Sequence, residues 1–372
     1  MKRVLVTGSG GFIGKNVVYN FIHKKNYKVF QYKRNSSHDD LIDILKRVDF
    51  IIHLAGVNRP DDDSEFIETN LNLTQYLCDL ILKLNLKIPI IFTSSVHVEK
   101  SNPYGVSKQL AEESLVQYSK KSGAPIFIFR LPHVVGKWCK PNYNSVVATF
   151  CHNISHNIPI QIHDPNFLIE IVHIDDLIKT FIDIIFNKDN YSQHCTVPIS
   201  YPVTVGALAD ILKSFKEDRK NFYIDQVGLG LLRVLYSTYI SYYDPSMFSY
   251  VLEEHSDNRG VFSEIIKTKS SGQFSYFTVN IGEARGGHFH HTKTEKFLVV
   301  SGSARYQFSN IVTKEYYTIC SDGNSPTVVE SIPGWVHDIT NIGDEKLIVF
   351  LWSNEVFDNN NPDTYVLNNE KN

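Results

Sequence analysis

The sequence lacks the features that would put it on a membrane or on a nucleic acid. A membrane-spanning helix needs about 20 consecutive apolar residues, and runs such as 297–300 and 347–351 are only strand-length. No cluster of Lys and Arg appears; the charged fraction is 21% and the net charge −3, which excludes a phosphate-backbone binder. Cysteine is sparse and scattered: Cys78, Cys139, Cys151, Cys195 and Cys320 form no CxxC pair, so reduced thiols in a cytoplasmic protein are expected. The start, Met-Lys-Arg-Val-Leu-Val-Thr-Gly, breaks its apolar run at Thr7-Gly8, too early for a secretory leader. Low-complexity segments and internal repeats are also missing.

What is present is length and a change of texture. A chain of 372 residues exceeds what one hydrophobic core usually organises, so two domains are expected, 1–243 and 244–372. In the first, strand-like runs at 4–7, 28–31, 50–54, 88–93 and 125–130 alternate with helix-like stretches. That alternation predicts an α/β, doubly wound parallel sheet of the Rossmann-like kind, whose ligands bind at the carboxyl ends of the strands.

Gly8-x-x-Gly11-x-x-Gly14 follows the first strand and opens a helix predicted from about Lys15. One glycine makes the tight turn, one admits a pyrophosphate against the backbone, and one lets the helix pack on the strand. The end of the second strand selects the dinucleotide. It reads Val29-Phe-Gln-Tyr-Lys-Arg34, with no acid and two cations. Arg34, with Lys33 beside it, suits a 2′-phosphate, so NADP(H) is expected.

The chemistry is expected at Ile91-Phe-Thr-Ser-Ser95 and at Asn102-Pro-Tyr104-Gly-Val-Ser-Lys108. Tyr104 and Lys108, four apart, share a helix face. A neighbouring Lys⁺ and a positive nicotinamide would lower the phenol from about 10 toward the working range. The tyrosine then exchanges a proton with a carbonyl oxygen while hydride moves at carbon, and a serine hydroxyl holds the same oxygen.

These pieces, with His53-Leu-Ala-Gly56, Asn70 and Val172-His-Ile-Asp-Asp176, resemble the extended short-chain dehydrogenase/reductase family, which acts largely on nucleotide sugars. The resemblance implies Ser95 as the catalytic hydroxyl, with Ser94 the other candidate. It implies Gly8, Gly11, Phe12, Ile13, Gly14, Leu54, Ala55 and Gly56, with Tyr104 and Lys108, at the cofactor, and Asn70 near it. His173, Asp175 and Asp176 are expected to brace the substrate lobe. The stretch 130–144, rich in Trp, Lys, Tyr and Asn, is a candidate wall for uracil, phosphate and sugar hydroxyls.

After about Tyr236 the alternation stops. Residues 237–246 read as a crossing segment, followed by strand-like runs at 274–281, 296–300, 304–308, 327–332 and 347–352. Short strands at this spacing predict an all-β jelly-roll barrel. His288 and His290, two apart, would face the same way on a strand. Glu295 follows a polar turn, and His337 follows Pro333-Gly334. Three imidazoles and a carboxylate suit a divalent transition metal, Zn²⁺ foremost. His291 reads as a spare, exposed imidazole.

This spacing resembles the cupin superfamily, with one departure: Pro-x-Gly-x-x-His becomes Pro333-Gly334-Trp-Val-His337. Over its whole length the chain resembles a family of capsular polysaccharide enzymes that fuse such a reductase to a cupin. The implied activity is bifunctional: C3 epimerisation of a UDP-linked 4-keto-6-deoxy-N-acetylhexosamine by the cupin, then NADPH reduction of the C4 ketone. The implied product is UDP-2-acetamido-2,6-dideoxy-β-L-talose, the implied assembly a homodimer. The rival reading is an NAD-dependent sugar epimerase or dehydratase with a non-catalytic cupin.

Overall fold

The computed structural model describes residues 1–33 and 35–366. The chain forms two compact units: one of residues 1–213 and 227–244, the other of residues 214–226 and 245–372.

In the first unit the strands are β1 (Lys2–Thr7), β2 (Tyr27–Tyr32), β3 (Phe50–His53), β4 (Ile90–Ser95), β5 (Ile126–Leu131), β6 (His133–Val135), β7 (Leu168–His173), β8 (His194–Cys195) and β9 (Tyr201–Thr204). The main sheet runs β2-β1-β3-β4-β5-β8 and is parallel throughout. A smaller sheet joins β6, β7 and β9. The sheet is buried on both faces, which is why its strands read as continuous apolar runs. Val4, Val6, Phe50, Ile52, Ile91, Phe127 and Phe129 pack to one side. Leu5, Ile51, Ile90, Phe92, Ile126 and Ile128 pack to the other.

The helices are α1 (Phe12–Ile22), α2 (His38–Leu45), the short α3 (Ser64–Phe66), α4 (Leu73–Lys83), α5 (Pro103–Ser122), α6 (Val146–Ser155), α7 (Ile174–Asn187), α8 (Val205–Lys220) and α9 (Gly230–Ile240). α1 starts at Phe12, three residues before the predicted Lys15. Its helical turn begins directly on Gly11, whose backbone N–H is bonded to the Gly8 carbonyl at 3.0 Å. The ends of α5 are written locally. The Asn102 side chain accepts from the Gly105 N–H at 2.8 Å, Pro103 opens the helix, and Gly123 closes it at φ +73°. The predicted crossing segment at 237–246 begins inside α9, which continues to Ile240.

The second unit takes in the end of α8, from residue 214, and from β10 onward it is built of strands, as expected. Its strands are β10 (His255–Asp257), β11 (Gly260–Thr268), β12 (Gly272–Val279), β13 (Ala284–Phe289), β14 (Glu295–Ser301), β15 (Ser303–Asn310), β16 (Tyr316–Asp322), β17 (Val328–Ser331), β18 (Trp335–Asn341), β19 (Leu347–Ser353) and β20 (Tyr365–Val366). They form two antiparallel sheets, β10-β11-β12-β19-β14-β17 and β16-β15-β18-β13-β20. Alternate residues of both sheets build one core: Phe277, Val279, Phe297, Val299, Tyr306, Phe308, Ile339, Leu347 and Val349. Glu295 has the parity of Phe297 and Val299, and His337 that of Ile339. The pleat therefore turns both polar side chains inward.

Candidate functional site

The glycine motif forms a tight cradle between β1, α1 and the end of β3. Gly8 sits at φ +66°, and a Cβ there would lie 2.6 Å from the Ala55 nitrogen; one at Gly14 would lie 2.2 Å from the Gly8 carbonyl oxygen. No larger residue fits either position without moving backbone. A buried hydrogen-bond chain ties the cradle to β3. The N–H groups of Leu54 and Ala55 donate to the Thr7 hydroxyl, each at 3.2 Å. That hydroxyl lies 2.7 Å from His53 Nδ1, and His53 Nε2 lies 2.9 Å from the Thr74 hydroxyl, which donates to the Asn70 carbonyl at 2.6 Å. Burial pushes His53 down to about 3, so it sits there as a neutral imidazole.

A cavity of about 830 Å³ opens from this cradle, lined by Phe12, Ile13, Leu54 and Gly56 at one end. Ser94, Ser95, Tyr104 and Lys108 also line it. The strand end β4 and the first turns of α5 thus bring the expected serine, tyrosine and lysine onto one wall. The two serines divide their roles. Ser94 donates to the buried Glu112 carboxylate at 2.5 Å, which Arg130 grips at 2.8 Å. Ser95 interacts with the Tyr104 phenol.

Burial raises the Tyr104 pKa above its ordinary value, and the Ser95 bond only partly opposes this. The Lys108 ammonium donates to the Thr93 carbonyl at 3.0 Å. Burial pushes Lys108 itself down to about 8, against the opposing pull of Glu112.

Asn70 is buried off this wall. It accepts from the Val57 N–H at 2.8 Å and donates to the Ser107 hydroxyl at 3.0 Å, so it holds the loop after Gly56. His173 and Asp176 are likewise buried away from the cavity, with Asp176 3.7 Å from Arg233 and Asp175 3.5 Å from Lys137. Of the stretch 130–144, Leu131, Pro132, His133, Val134, Cys139 and Asn144 reach the cavity. Trp138 instead lies against Tyr19, at 5.3 Å between rings. Arg34 lies outside the described residues. The sequence reading missed His97, Lys100 and Glu170, which also line the cavity; only the place of His97, two residues beyond Ser95, offered a signal.

In the second unit the four expected ligands converge. His288, His290, Glu295 and His337 offer donor atoms that all lie within 4.8 Å of one another. His288 stands opposite His337 in the β13–β18 register, beside a bulge at Gly286. A Cβ on Gly286, at φ +111°, would lie 2.5 Å from the His337 carbonyl oxygen, so glycine permits this close approach. The imidazoles are held from behind: His290 Nδ1 lies 2.5 Å from the Asp363 carbonyl and His337 Nδ1 2.9 Å from the Ser331 hydroxyl. Both Nε2 atoms then face Glu295 Oε2, at 3.2 and 3.1 Å. Burial works to raise the Glu295 carboxyl, but the bonds to His290 and His337 and the nearby Lys293 outweigh it and hold it below the usual carboxylate range. Burial, reinforced by His337, pushes His288 down to about 4. A buried carboxylate and three converging imidazoles, two of them held from behind, are a donor set that suits Zn²⁺ or a similar ion.

Asp363 completes this corner and was not foreseen. Its carboxylate accepts from the N–H groups of His291, Thr292 and Lys293 at 2.9, 2.9 and 2.8 Å. It lies about 70 residues away in sequence, and no local pattern announces it. His291 is exposed, its ring 4.7 Å from that of Tyr365.

Comparison with known proteins places this geometry in a family. Residues 4–197 match the NAD dependent epimerase/dehydratase family, and residues 255–365 match the polysaccharide biosynthesis C-terminal domain. The chain is 48% identical to the UDP-2-acetamido-2,6-beta-L-arabino-hexul-4-ose reductase of Pseudomonas aeruginosa, over 98% of each chain. It is similar to the crystal structure of the capsular polysaccharide assembling protein CapF from Staphylococcus aureus, at 38% identity and TM-score 0.91, covering 98% of this chain and 99% of that one. A UDP-glucuronic acid 4-epimerase from Bacillus cereus shares the fold alone, at 19% identity and TM-score 0.52 over 58% of this chain and 84% of that one. Matched over more than half its length by the family model, and over nearly all of it by these relatives, the chain belongs to the NAD dependent epimerase/dehydratase family, in the CapF-like form that carries a polysaccharide biosynthesis C-terminal domain.

Proposed function

We propose that the chain is a bifunctional nucleotide-sugar enzyme of polysaccharide synthesis. The nucleotide-sugar reductase kind follows from the full-length 48% identity to a UDP-hexul-4-ose reductase; the finer reading is ours. The unit expected at 1–243 reduces the C4 ketone of a UDP-4-keto-2-acetamido-2,6-dideoxy-L-hexose with NADPH. A cupin-type unit at 244–372 epimerises C3, and the product is UDP-2-acetamido-2,6-dideoxy-β-L-talose, a precursor of L-FucNAc for capsule or O-antigen. We further propose that the enzyme works in the cytoplasm as a homodimer. Among the described residues no helix is long and apolar enough to cross a membrane.

The observation that carries the reduction is the meeting of Ser95, Tyr104 and Lys108 on the wall of a cavity that begins at the glycine cradle. Gly8, Gly11 and Gly14 would hold NADPH, which would supply the hydride, and Arg34 is proposed to pair with its 2′-phosphate. The Tyr104 phenol donates a proton to the ketone oxygen, Ser95 steadies that oxygen, and Lys108, beside Gly56, orders the wall.

For the epimerisation, His288, His290, Glu295 and His337 hold a divalent ion, Zn²⁺ in our reading. Such an ion supplies Lewis-acid polarisation of the ketone, which acidifies the proton at C3. Asp363 and Ser331 keep the ligands in place from behind. The test is incubation of the chain with a UDP-4-keto-6-deoxy-N-acetylhexosamine and NADPH in D₂O, read by NMR. The expected product carries deuterium at C3 and one equivalent of NADP⁺ per turnover. Product formation without net NADPH consumption would instead mark an epimerase or dehydratase that recycles its cofactor.

A further inference from the structure

The reduction leaves two imidazoles of the cavity wall without a role, His97 and His133. Among the described residues, neither ring has a hydrogen-bond partner; the His97 backbone N–H donates to Ser95 Oγ at 3.1 Å, and its carbonyl accepts from the Lys100 N–H at 2.9 Å. The bond to Ser95 ties the position of His97 to the hydroxyl assigned to the ketone oxygen. Its ring stands edge-on to the Tyr104 ring, 6.1 Å between centroids. The start of α5 packs closely behind it: a Cβ on Gly105 would lie 2.2 Å from the His97 carbonyl oxygen.

Burial, with the Lys100 charge, holds His97 below its ordinary pKa, so the ring is neutral near pH 7. A neutral imidazole has one donor and one acceptor, the complement of a hydroxyl. In a 4-keto-6-deoxy sugar the ketone carbon has two neighbours. C5 carries a methyl group and the ring oxygen, and C3 carries the only vicinal hydroxyl. Beside the ketone-binding serine and tyrosine, the C3 hydroxyl is the one neighbour of the ketone that offers both a donor and an acceptor to a half-buried imidazole; the ring oxygen on the C5 side only accepts.

We infer that His97 is a specificity-determining residue of the reductase cavity, which hydrogen-bonds the hydroxyl at C3 and so reads the configuration of the carbon beside the ketone. The inference rests on the reading of this unit as a 4-ketosugar reductase. It gives the two chemistries a logical order: a ketone epimerised at C3 meets His97 and is reduced, and one with the other configuration leaves the imidazole unpaired.

The test is a cycle of enzyme and substrate changes on the full-length chain, read as NADPH oxidation. The substrates are the C3-epimerised UDP-4-keto-6-deoxy-N-acetylhexosamine and its 3-deoxy analogue. Wild type should lose about 30-fold in kcat/KM on the 3-deoxy ketone, the effect of one unpaired hydrogen bond in a dry site. His97→Ala should lose about as much on the hydroxyl-bearing ketone and treat the two substrates alike, while NADPH affinity by fluorescence stays at the wild-type value. A purely structural role would lower both substrates equally and keep the discrimination. His97→Leu carries the same comparison should the alanine variant fail to bind NADPH. A His97 variant that binds NADPH and still discriminates about 30-fold overturns the inference, whereas a wild type that oxidises NADPH with neither ketone overturns the reductase reading on which it rests.

Discussion

Replacing Lys108 by methionine should make the reductase unit more stable and catalytically dead. The ammonium is fully buried and carries a pKa pushed from 10.5 to about 8, mainly by burial. That fall corresponds to about 3 kcal/mol against the charged form. Below about pH 8 the folded chain must keep the ion charged where it is poorly solvated, so the whole cost is present. It fades as pH rises from about 8 to 10.5, because the folded state releases its proton first. Lys108→Met removes the charge and nearly keeps the volume; it also leaves the Thr93 carbonyl without its 3.0 Å donor, at about 1 kcal/mol. The net gain at pH 7 is about 2 kcal/mol, a rise of about 4 to 8 °C in Tm for a unit of this size. Calorimetry of the cofactor-free chain at pH 7 and at pH 10 measures it, and the advantage of the variant should shrink at the higher pH. NADPH oxidation should fall at least about 10²-fold in parallel. A variant destabilised at pH 7, or an advantage that grows with pH, would refute the account of Lys108 as a costly charge retained for function.

Tyr104→Phe should bind NADPH normally and oxidise it about 10²-fold more slowly or worse, if the phenol is the proton donor; unchanged turnover removes it from the reaction. Arg34→Ala should weaken NADPH binding about tenfold or more and leave NADH binding alone, measured by fluorescence titration. His288→Ala should abolish solvent-deuterium incorporation at C3 yet leave reduction of a supplied, already epimerised ketone; wild-type exchange in that variant would sink the metal-site reading. Asp363→Ala should destabilise the second unit by about 2 kcal/mol, because three backbone N–H groups lose their acceptor; an unchanged melting transition for that unit would show that water replaces the carboxylate.

Sequence alone determined what depends on neighbours along the chain. Glycines three apart at a strand end, a tyrosine and a lysine four apart on a helix, and histidines two apart on a strand are local patterns with local geometric consequences. From them the parallel sheet, the all-β second unit, the cofactor cradle and the four-residue cluster could all be written down. Several strands were not among the runs named from sequence, β7, β11, β16 and β18 among them, and β13 was foreseen only through the His288/His290 spacing; its two glycines hide an apolar pattern, and Gly286 serves the close approach to β18.

Tertiary structure decided whatever is set by burial and by partners distant in sequence. It separated Ser94, spent on Glu112, from Ser95, which faces Tyr104. It set burial, which raises the Tyr104 pKa, against the Ser95 bond, which lowers it. It also brought Asp363 to the loop at 291–293 and set His97 beside Tyr104. Spacing along a chain encodes which way a side chain points; which charge is dry, and which atom finally faces it, is known only once the chain has packed.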